Sequence, residues 1–194
     1  KDVEIKFPKA GQARVFGIYA ENSEGVSVDG FPIRSGTGIS LSNFTVENLK
    51  QWNEVLPYDL FILQFGVNFL TTGKMSLSDY EKAMGNAIEN IKSAFPDAAV
   101  IVVSVGDKSK RSGGNFATDP MVPRLIETQK KLASAKNVAF WNLFEAMGGK
   151  NSMVKWSKAD PPLSHSDYTH FTNKGGEKIA KMFFDDIKNL KNKK

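Results

Sequence analysis

At 194 residues the chain is long enough for one domain with a buried core. Its 41% hydrophobic and 24% charged residues are typical of a globular protein. It has no cysteine, which excludes a disulfide framework, a thiolate metal site and a cysteine nucleophile. No apolar run approaches the length of a membrane span, and the charged first residues do not resemble a signal peptide. Because the chain starts without Met, we expect a mature or trimmed product.

The net charge of +5 is concentrated in two short stretches. Four of the 26 basic side chains lie in residues 188–194, and the remaining 22 nearly balance the 21 acidic ones. A second basic cluster occupies residues 108–111. Clusters of this kind are more often solvated surface than a groove that follows phosphates. We therefore predict no nucleic-acid partner.

The beginning of the chain differs from the rest. Residues 3–7 and 13–20 alternate apolar and polar side chains like half-buried strands, and residues 25–29 predict a further short strand. We interpret residues 1–22 as the terminal strands of an adjoining or inserted β domain. Residues 23–194 are then a separate α/β domain.

In the α/β domain, strands alternate with helices. Apolar runs predict three buried strands, at 58–65, 99–105 and 138–140. Capping residues and helical periodicity predict longer helices that begin near residues 46, 78, 120 and 173. A loop is expected at 106–118. This alternation predicts a parallel sheet with helices on both faces.

The two histidines of the chain, His165 and His170, lie on one loop before the last helix. Asp167 precedes His170 by three positions, so its carboxylate could orient the imidazole as a general base. A bare D-x-x-H match is more often only a polar loop, so this interpretation depends on motifs upstream. The three side chains could also bind a metal, but the chain offers no second ligand cluster. We predict no metal and no cofactor.

Gly66-Val67-Asn68 follows the first predicted buried strand. Ligands of open α/β sheets bind beyond the carboxyl ends of the strands, where an Asn amide could donate to a developing oxyanion. The small-residue loop at 35–38 could supply a backbone N–H as a second donor. Each motif alone is equally typical of an ordinary turn.

The order of these motifs, with D-x-x-H last, resembles the SGNH (GDSL-type) esterase/lipase family over roughly residues 26–188. The resemblance implies a three-layer αβα, flavodoxin-like fold and a serine esterase that removes short acyl groups such as acetyl from carbohydrate or peptidoglycan. It assigns His170 as the base and Asp167 as its orienting carboxylate. Asn68 would be the side-chain donor of the oxyanion hole and Gly36 the backbone donor.

Other details of the resemblance concern location and substrate. The sequences of residues 103–107 and 140–143 are similar to those of secreted esterase-like proteins of Bacteroidetes-type bacteria. It implies export to the periplasm or cell surface of a bacterium. Trp156, Tyr168 and the 106–118 loop are candidates for the cleft walls, although aromatic residues near a loop are more often core anchors.

The chain departs from the family at the nucleophile, because it has neither Gly-Asp-Ser nor G-x-S-x-G. Ser23 ends a predicted strand but lies only 13 residues before Gly36, which leaves little room for the expected helix. Ser35 and Ser40 belong to the oxyanion loop, where Ser35 is the alternative backbone donor. We therefore expect the nucleophile on an upstream segment of the same precursor. The alternative is a non-catalytic glycan-binding protein of the same fold.

Overall fold

The chain forms two compact units, Lys1–Ile33 and Arg34–Lys194. A computed structural model describes residues 4–6, 11, 15, 17–21, 24–32, 35–73 and 75–191. The predicted strands at 3–7 and 13–20 fall largely outside the described residues. The predicted domain division at residue 22 stays a prediction.

The strand predicted at residues 25–29 is wrong. Residues 24–32 are all described, and none of them lies in a strand. Val26 is 92% exposed and Val28 is 84% exposed. Alternating apolar side chains favour a strand only where one face meets a core, and these two valines face solvent instead.

The second unit is an α/β fold, as predicted. After a 3₁₀ turn, Ile39–Asn43, the helices in the described part of the chain are α1 Val46–Val55, α2 Val67–Thr72, α3 Leu77–Ala94, α4 Met121–Ala135, α5 Leu143–Ala146, α6 Ser152–Ser157 and α7 Asn173–Lys191. The strands there are β1 Leu60–Gln64, β2 Ala99–Val103, β3 Ser109–Ser112, β4 Asn115–Thr118 and β5 Ala139–Trp141. Strands β1, β2 and β5 form a parallel sheet in that order.

Two hydrophobic clusters lie on opposite faces of this sheet. Val100 and Val102 of β2 point into the larger cluster, which contains helices α3 and α4. Ile101 and Val103 alternate with them and point into the smaller cluster, which contains α6 and α7. The sheet is thus sandwiched between two helical layers, which is the expected αβα arrangement.

Helix starts follow side-chain capping. The Thr45 hydroxyl accepts the backbone N–H of Asn48 at 3.2 Å, as expected for an N-cap of α1. Helix α3 begins at Leu77, close to the predicted start near residue 78, and its N-cap Ser76 accepts the N–H of Asp79 at 3.1 Å. Over the described residues, no helix combines the length and apolar character needed to cross a membrane.

The segment predicted as a loop at 106–118 contains the antiparallel hairpin β3–β4. Gly113 and Gly114 turn the chain with φ of +57° and +90°, values that glycine adopts without steric cost. The two strands are mostly polar, so they lack the apolar alternation by which a strand is usually recognised. This hairpin lies just beyond the carboxyl end of β2, where the predicted site is.

Candidate active site

Asp167 and His170 form a hydrogen-bonded pair. Asp167 Oδ2 lies 2.7 Å from His170 Nδ1. Asp167 Oδ1 accepts the backbone N–H groups of Thr169 at 2.9 Å and His170 at 3.0 Å. The carboxylate is therefore fixed by the same short turn that carries the imidazole. With Nδ1 occupied by the carboxylate, Nε2 is the ring nitrogen left to exchange a proton with a nucleophile.

The electrostatics of this pair favour an ionised carboxylate. Partial burial raises the pKa of Asp167, but the hydrogen bonds from His170 and Thr169 and the charge of His170 together lower it more. The net effect is to lower the pKa of Asp167 from 3.8 to about 2. An Asp that is ionised throughout the neutral range can hold the imidazole in one orientation and stabilise its protonated form.

The loop that carries the pair is closed by backbone hydrogen bonds. His165 N–H donates to the carbonyl of His170 at 2.9 Å, and Tyr168 N–H donates to the carbonyl of His165 at 3.1 Å. Tyr168 itself has a φ of +53°, in the left-handed region. Its carbonyl accepts the N–H of Ser109 at 3.0 Å, which connects the loop to the start of β3.

The start of α7 fits tightly against this loop. A Cβ at Gly175 would overlap the carbonyl oxygen of Leu163, so only glycine allows the helix to approach so closely. Thr172 strengthens the junction, because its hydroxyl donates to the Pro162 carbonyl at 2.7 Å and accepts the Gly175 N–H at 3.2 Å. The position of His170 therefore depends on α7 as well as on its own turn.

The structure also brings Asn68 and Gly36 together. Asn68 is the second residue of α2, directly beyond the carboxyl end of β1. Its Nδ2 donates to the carbonyl oxygen of Gly36 at 3.1 Å, across 32 residues of sequence. Because an amide NH₂ carries two hydrogens, this bond leaves the second one to donate to an oxyanion. Ser35, the alternative backbone donor, is exposed and has a φ of +57°.

Lys108 and Ser109 connect these two halves of the site. Lys108 Nζ donates to the Thr71 hydroxyl at 2.6 Å, and Thr71 lies about one helical turn after Asn68. The backbone N–H of the next residue, Ser109, donates to the Tyr168 carbonyl. Burial lowers the pKa of Lys108, partly offset by the charge of Asp119. The loop that carries His170 and the helix that carries Asn68 are therefore attached to the same short segment beyond β2.

Gln129 is a buried residue that supports the candidate site, and it was not among the site residues predicted from the sequence. It is fully buried, and its Oε1 accepts the Val105 N–H at 2.8 Å while its Nε2 donates to the Phe65 carbonyl at 2.9 Å. One side chain thus joins the chain beyond β1 to the chain beyond β2. Nε2 also contacts the Tyr80 hydroxyl at 3.0 Å, and burial raises the pKa of Tyr80 to about 12. A polar residue among apolar ones on the inner face of a predicted helix was the signal.

Asp107 is a second missed residue, and it anchors the hairpin. Its carboxylate is 1% exposed and accepts the Thr118 hydroxyl at 2.7 Å and the Met153 N–H at 2.9 Å. Thr118 also exchanges two hydrogen bonds with Asn151, of 2.7 and 3.1 Å. The hairpin is consequently held at its base by a buried polar network.

The remaining candidates are placed as follows. Ser23 lies outside the described residues, and Ser35 and Ser40 lie in the segment that carries Gly36. Within the described residues, no serine hydroxyl hydrogen-bonds the His170 imidazole. In the same part of the chain, no group of three or more His, Asp or Glu side chains is arranged to hold a metal.

The two aromatic candidates for the cleft walls, Trp156 and Tyr168, differ in burial. Trp156 is 6% exposed and belongs to the smaller core cluster, so it is a core anchor. Tyr168 is half-buried: it packs against the same cluster, and its ring also contacts Phe116 of the hairpin.

A comparison with known families identifies the chain. The model of the GDSL-like lipase/acylhydrolase family matches residues 12–178. The chain belongs to this family. This match confirms the predicted family. Members of the family are carboxylic ester hydrolases. No curated protein matches the chain significantly.

Solved structures of several esterases are similar to the chain. A peptidoglycan O-acetylesterase superposes with a TM-score of 0.73 and 21% identity over 82% of this chain and 45% of that one. A carbohydrate esterase family 3 protein from Talaromyces cellulolyticus gives 0.58 and 16% over 80% of this chain and 68% of its own. A psychrotrophic esterase from Pseudoalteromonas sp. gives 0.52 and 12%, over 77% and 74%. At these identities the likeness shows the fold, which confirms the SGNH-type αβα prediction. The chain spans less than half of the O-acetylesterase.

Proposed function

We propose that this chain is part of a serine esterase that removes short acyl groups, acetyl above all, from carbohydrate or peptidoglycan. The observation that carries the proposal is the His170–Asp167 pair placed at the same edge of the sheet as the Asn68–Gly36 contact. A base with an ionised partner and a preorganised amide donor are what acyl transfer needs beyond the nucleophile. The names of the similar structures, a peptidoglycan O-acetylesterase and a carbohydrate esterase, support this substrate class.

The geometry suggests a role for each group. A serine hydroxyl attacks the ester carbonyl while His170 Nε2 takes its proton, and the carbonyl electrons move to the oxygen. The Asn68 amide and the Gly36 N–H donate to that oxyanion. Collapse of the intermediate expels the alcohol, which receives the proton from His170. Water then releases the acyl group from serine by the same steps.

We place the nucleophile on a segment upstream of this chain. In the described part of the sheet, β1 pairs with β2 alone, so one of its edges is open. Leu60 is 38% exposed and Ile62 is 46% exposed. Ile62 neighbours Ile101 in the sheet, and Ile101 is covered on that face by the cluster around α7. A further strand beside β1, followed by a helix beside α7, would pair this edge and bury both side chains.

The test is hydrolysis of p-nitrophenyl acetate by this chain and by its longer precursor, each with and without His170→Ala. Activity in the precursor alone, lost with His170→Ala, would support an upstream serine. Labelling with a fluorophosphonate followed by mass spectrometry would then locate that serine. Activity in the present chain would place the nucleophile within it and overturn the upstream assignment. Inactivity of both would favour the glycan-binding alternative.

Asn68→Ala tests the oxyanion donor in the active form. Loss of one such donor typically lowers kcat by about 10²–10³ with little effect on binding. Asn53→Ala is a matched control, because the Asn53 amide also donates to a backbone carbonyl, that of Ala94, at 3.0 Å but away from the site. Unchanged kcat in Asn68→Ala would remove this residue from the mechanism.

We also propose that the protein is exported by a bacterium to its periplasm or cell surface. The substrate class supports this, because peptidoglycan lies outside the cytoplasmic membrane. Fractionation of cells that express the tagged precursor tests the proposal. Recovery of the protein from the cytosol would contradict it.

A further inference from the structure

We propose that Phe116 and Tyr168 form a binding site for the sugar ring whose ester is cleaved. The inference rests on the proposed function and names two residues that would recognise its substrate. The two rings meet with centroids 4.3 Å apart and planes inclined by 42°. Phe116 is 43% exposed, so part of its surface is open to a ligand.

The position of Tyr168 ties these rings to the chemistry. Tyr168 lies between Asp167 and His170, the pair that would activate the nucleophile. The loop closed by His165 and His170 fixes its backbone. Because Tyr168 is only two residues from His170, we place the alcohol portion of an ester held beside His170 against these rings.

The backbone of Tyr168 gives a second reason to assign its side chain a role. Its φ of +53° is costly for a residue with a large side chain and free of cost for glycine. Strain of this kind persists where the surrounding structure imposes it, and it concentrates at ligand sites. The side chain of Tyr168 packs against the smaller core cluster, and its ring also supports Phe116.

Phe116 is presented by a rigid support. It lies two residues before Thr118, which hydrogen-bonds the buried Asp107. On the neighbouring strand, Lys110 forms an ion pair with Asp119 at 3.2 Å. A ring held in this way binds a ligand without a large loss of conformational entropy.

The chemistry of the site favours a sugar ring over a fatty chain. A pyranose has a flat face of C–H groups and a rim of hydroxyl groups, so it can stack on an aromatic ring while its rim stays hydrated. An alkyl chain would instead require an enclosed apolar groove. Phe116 offers a partly exposed ring at the protein boundary, supported from one side by Tyr168.

The experiment compares two acetate esters that differ in their alcohol, glucose pentaacetate and glycerol triacetate. Acetate release by the active precursor is followed in a pH-stat. Phe116→Leu keeps the apolar bulk and removes the flat ring. We expect it to lower kcat/KM for glucose pentaacetate by about tenfold, mostly through KM, in line with the energies of aromatic contacts. The value for glycerol triacetate should change by less than about twofold, and Phe116→Trp should restore activity on the sugar ester.

Arg111→Ala is the matched control, because Arg111 is the cross-strand partner of Phe116. It should leave kcat/KM for both uncharged esters unchanged. An equal loss for both esters in Phe116→Leu would show that the hairpin only positions the base loop. That result, or no change for either ester, would overturn the sugar site and leave the esterase proposal intact.

A binding measurement separates the sugar site from the esterase proposal. A β-1,4-linked tetramer of N-acetylglucosamine is titrated into the present chain, and the ring resonances of Phe116 and Tyr168 are followed by NMR. Shifts that Phe116→Leu abolishes would support the sugar site even if the precursor hydrolyses no ester. An inactive precursor together with unperturbed resonances would overturn both proposals.

Discussion

Gly66 is the residue on which the placement of Asn68 most directly depends. It is the N-cap of α2 and has a φ of +131° and a ψ of −32°, a conformation that residues with a Cβ rarely adopt. A Cβ there would lie 3.0 Å from Leu125 Cδ2 and 3.0 Å from Val105 Cβ. Both neighbours belong to the main core, where little movement is possible. Gly66→Ala should therefore destabilise the fold and displace Asn68.

The magnitude follows from two separate costs. The unfavourable backbone conformation costs about 1–3 kcal/mol. Overlap with packed core atoms adds about 1–3 kcal/mol. Gly73, at the other end of α2, offers a control, because its φ is +58° but a Cβ there would meet no atom within 4 Å. Gly73→Ala should cost only the conformational part, about 1–2 kcal/mol.

The assay is urea unfolding followed by far-UV circular dichroism, with the free energy of unfolding extrapolated for each variant. We expect Gly66→Ala to lose at least about 1 kcal/mol more than Gly73→Ala, the difference being the steric cost. In the active precursor, Gly66→Ala should also lower kcat more than Gly73→Ala does. Equal losses of stability in the two variants would refute the reasoning, since the crowding around Gly66 would then have no energetic consequence.

Three further predictions concern stability and are measured by the same unfolding assay. Gln129→Met should cost about 2–4 kcal/mol, because it leaves a buried backbone N–H and a buried carbonyl without partners; a loss below that of a surface variant would contradict this. Gly175→Ala should be strongly destabilising through overlap with Leu163, whereas Gly176→Ala, with no atom nearby, should be neutral or stabilising. The pKa of Asp167 is depressed, so its ionised form stabilises the protein above about pH 4 and this contribution is lost as the pH falls towards about 2. The stability difference between the wild type and Asp167→Asn should shrink over that range, and a constant difference would argue against it.

The contact in the candidate site that follows most directly from the sequence is the one between near neighbours. Asp167 and His170 are three residues apart, so a single turn decides whether they meet. The parallel strands and the longer helices of the second unit were also predictable, since long apolar runs and capping residues act locally. The contact between Asn68 and Gly36 spans 32 residues, and only the order of motifs suggested it.

The features that the sequence did not predict depend on packing between residues that are distant in the chain. Gln129 matters because it joins two strand ends, and although its place among apolar residues indicates burial, it does not indicate those partners. The hairpin was missed because its strands are polar and its stability comes from the buried Asp107. The strand expected at 25–29 was wrong for the converse reason, since its alternating valines have no core to face.

The upstream segment proposed above would explain the exposure of two distant side chains. The His170 side chain is 72% exposed, more than suits a base that works beside a bound ester away from water. Ile62, on an open edge strand, is also exposed. Parallel strands end at the same edge of a sheet, so a strand added beside β1 would end next to Gly66 and Asn68. The residue at its carboxyl end would then face Asn68, and the helix after it would cover Ile62. A single segment would thus complete both the hydrophobic core and the catalytic group, so stability and ester hydrolysis should be gained together when it is present.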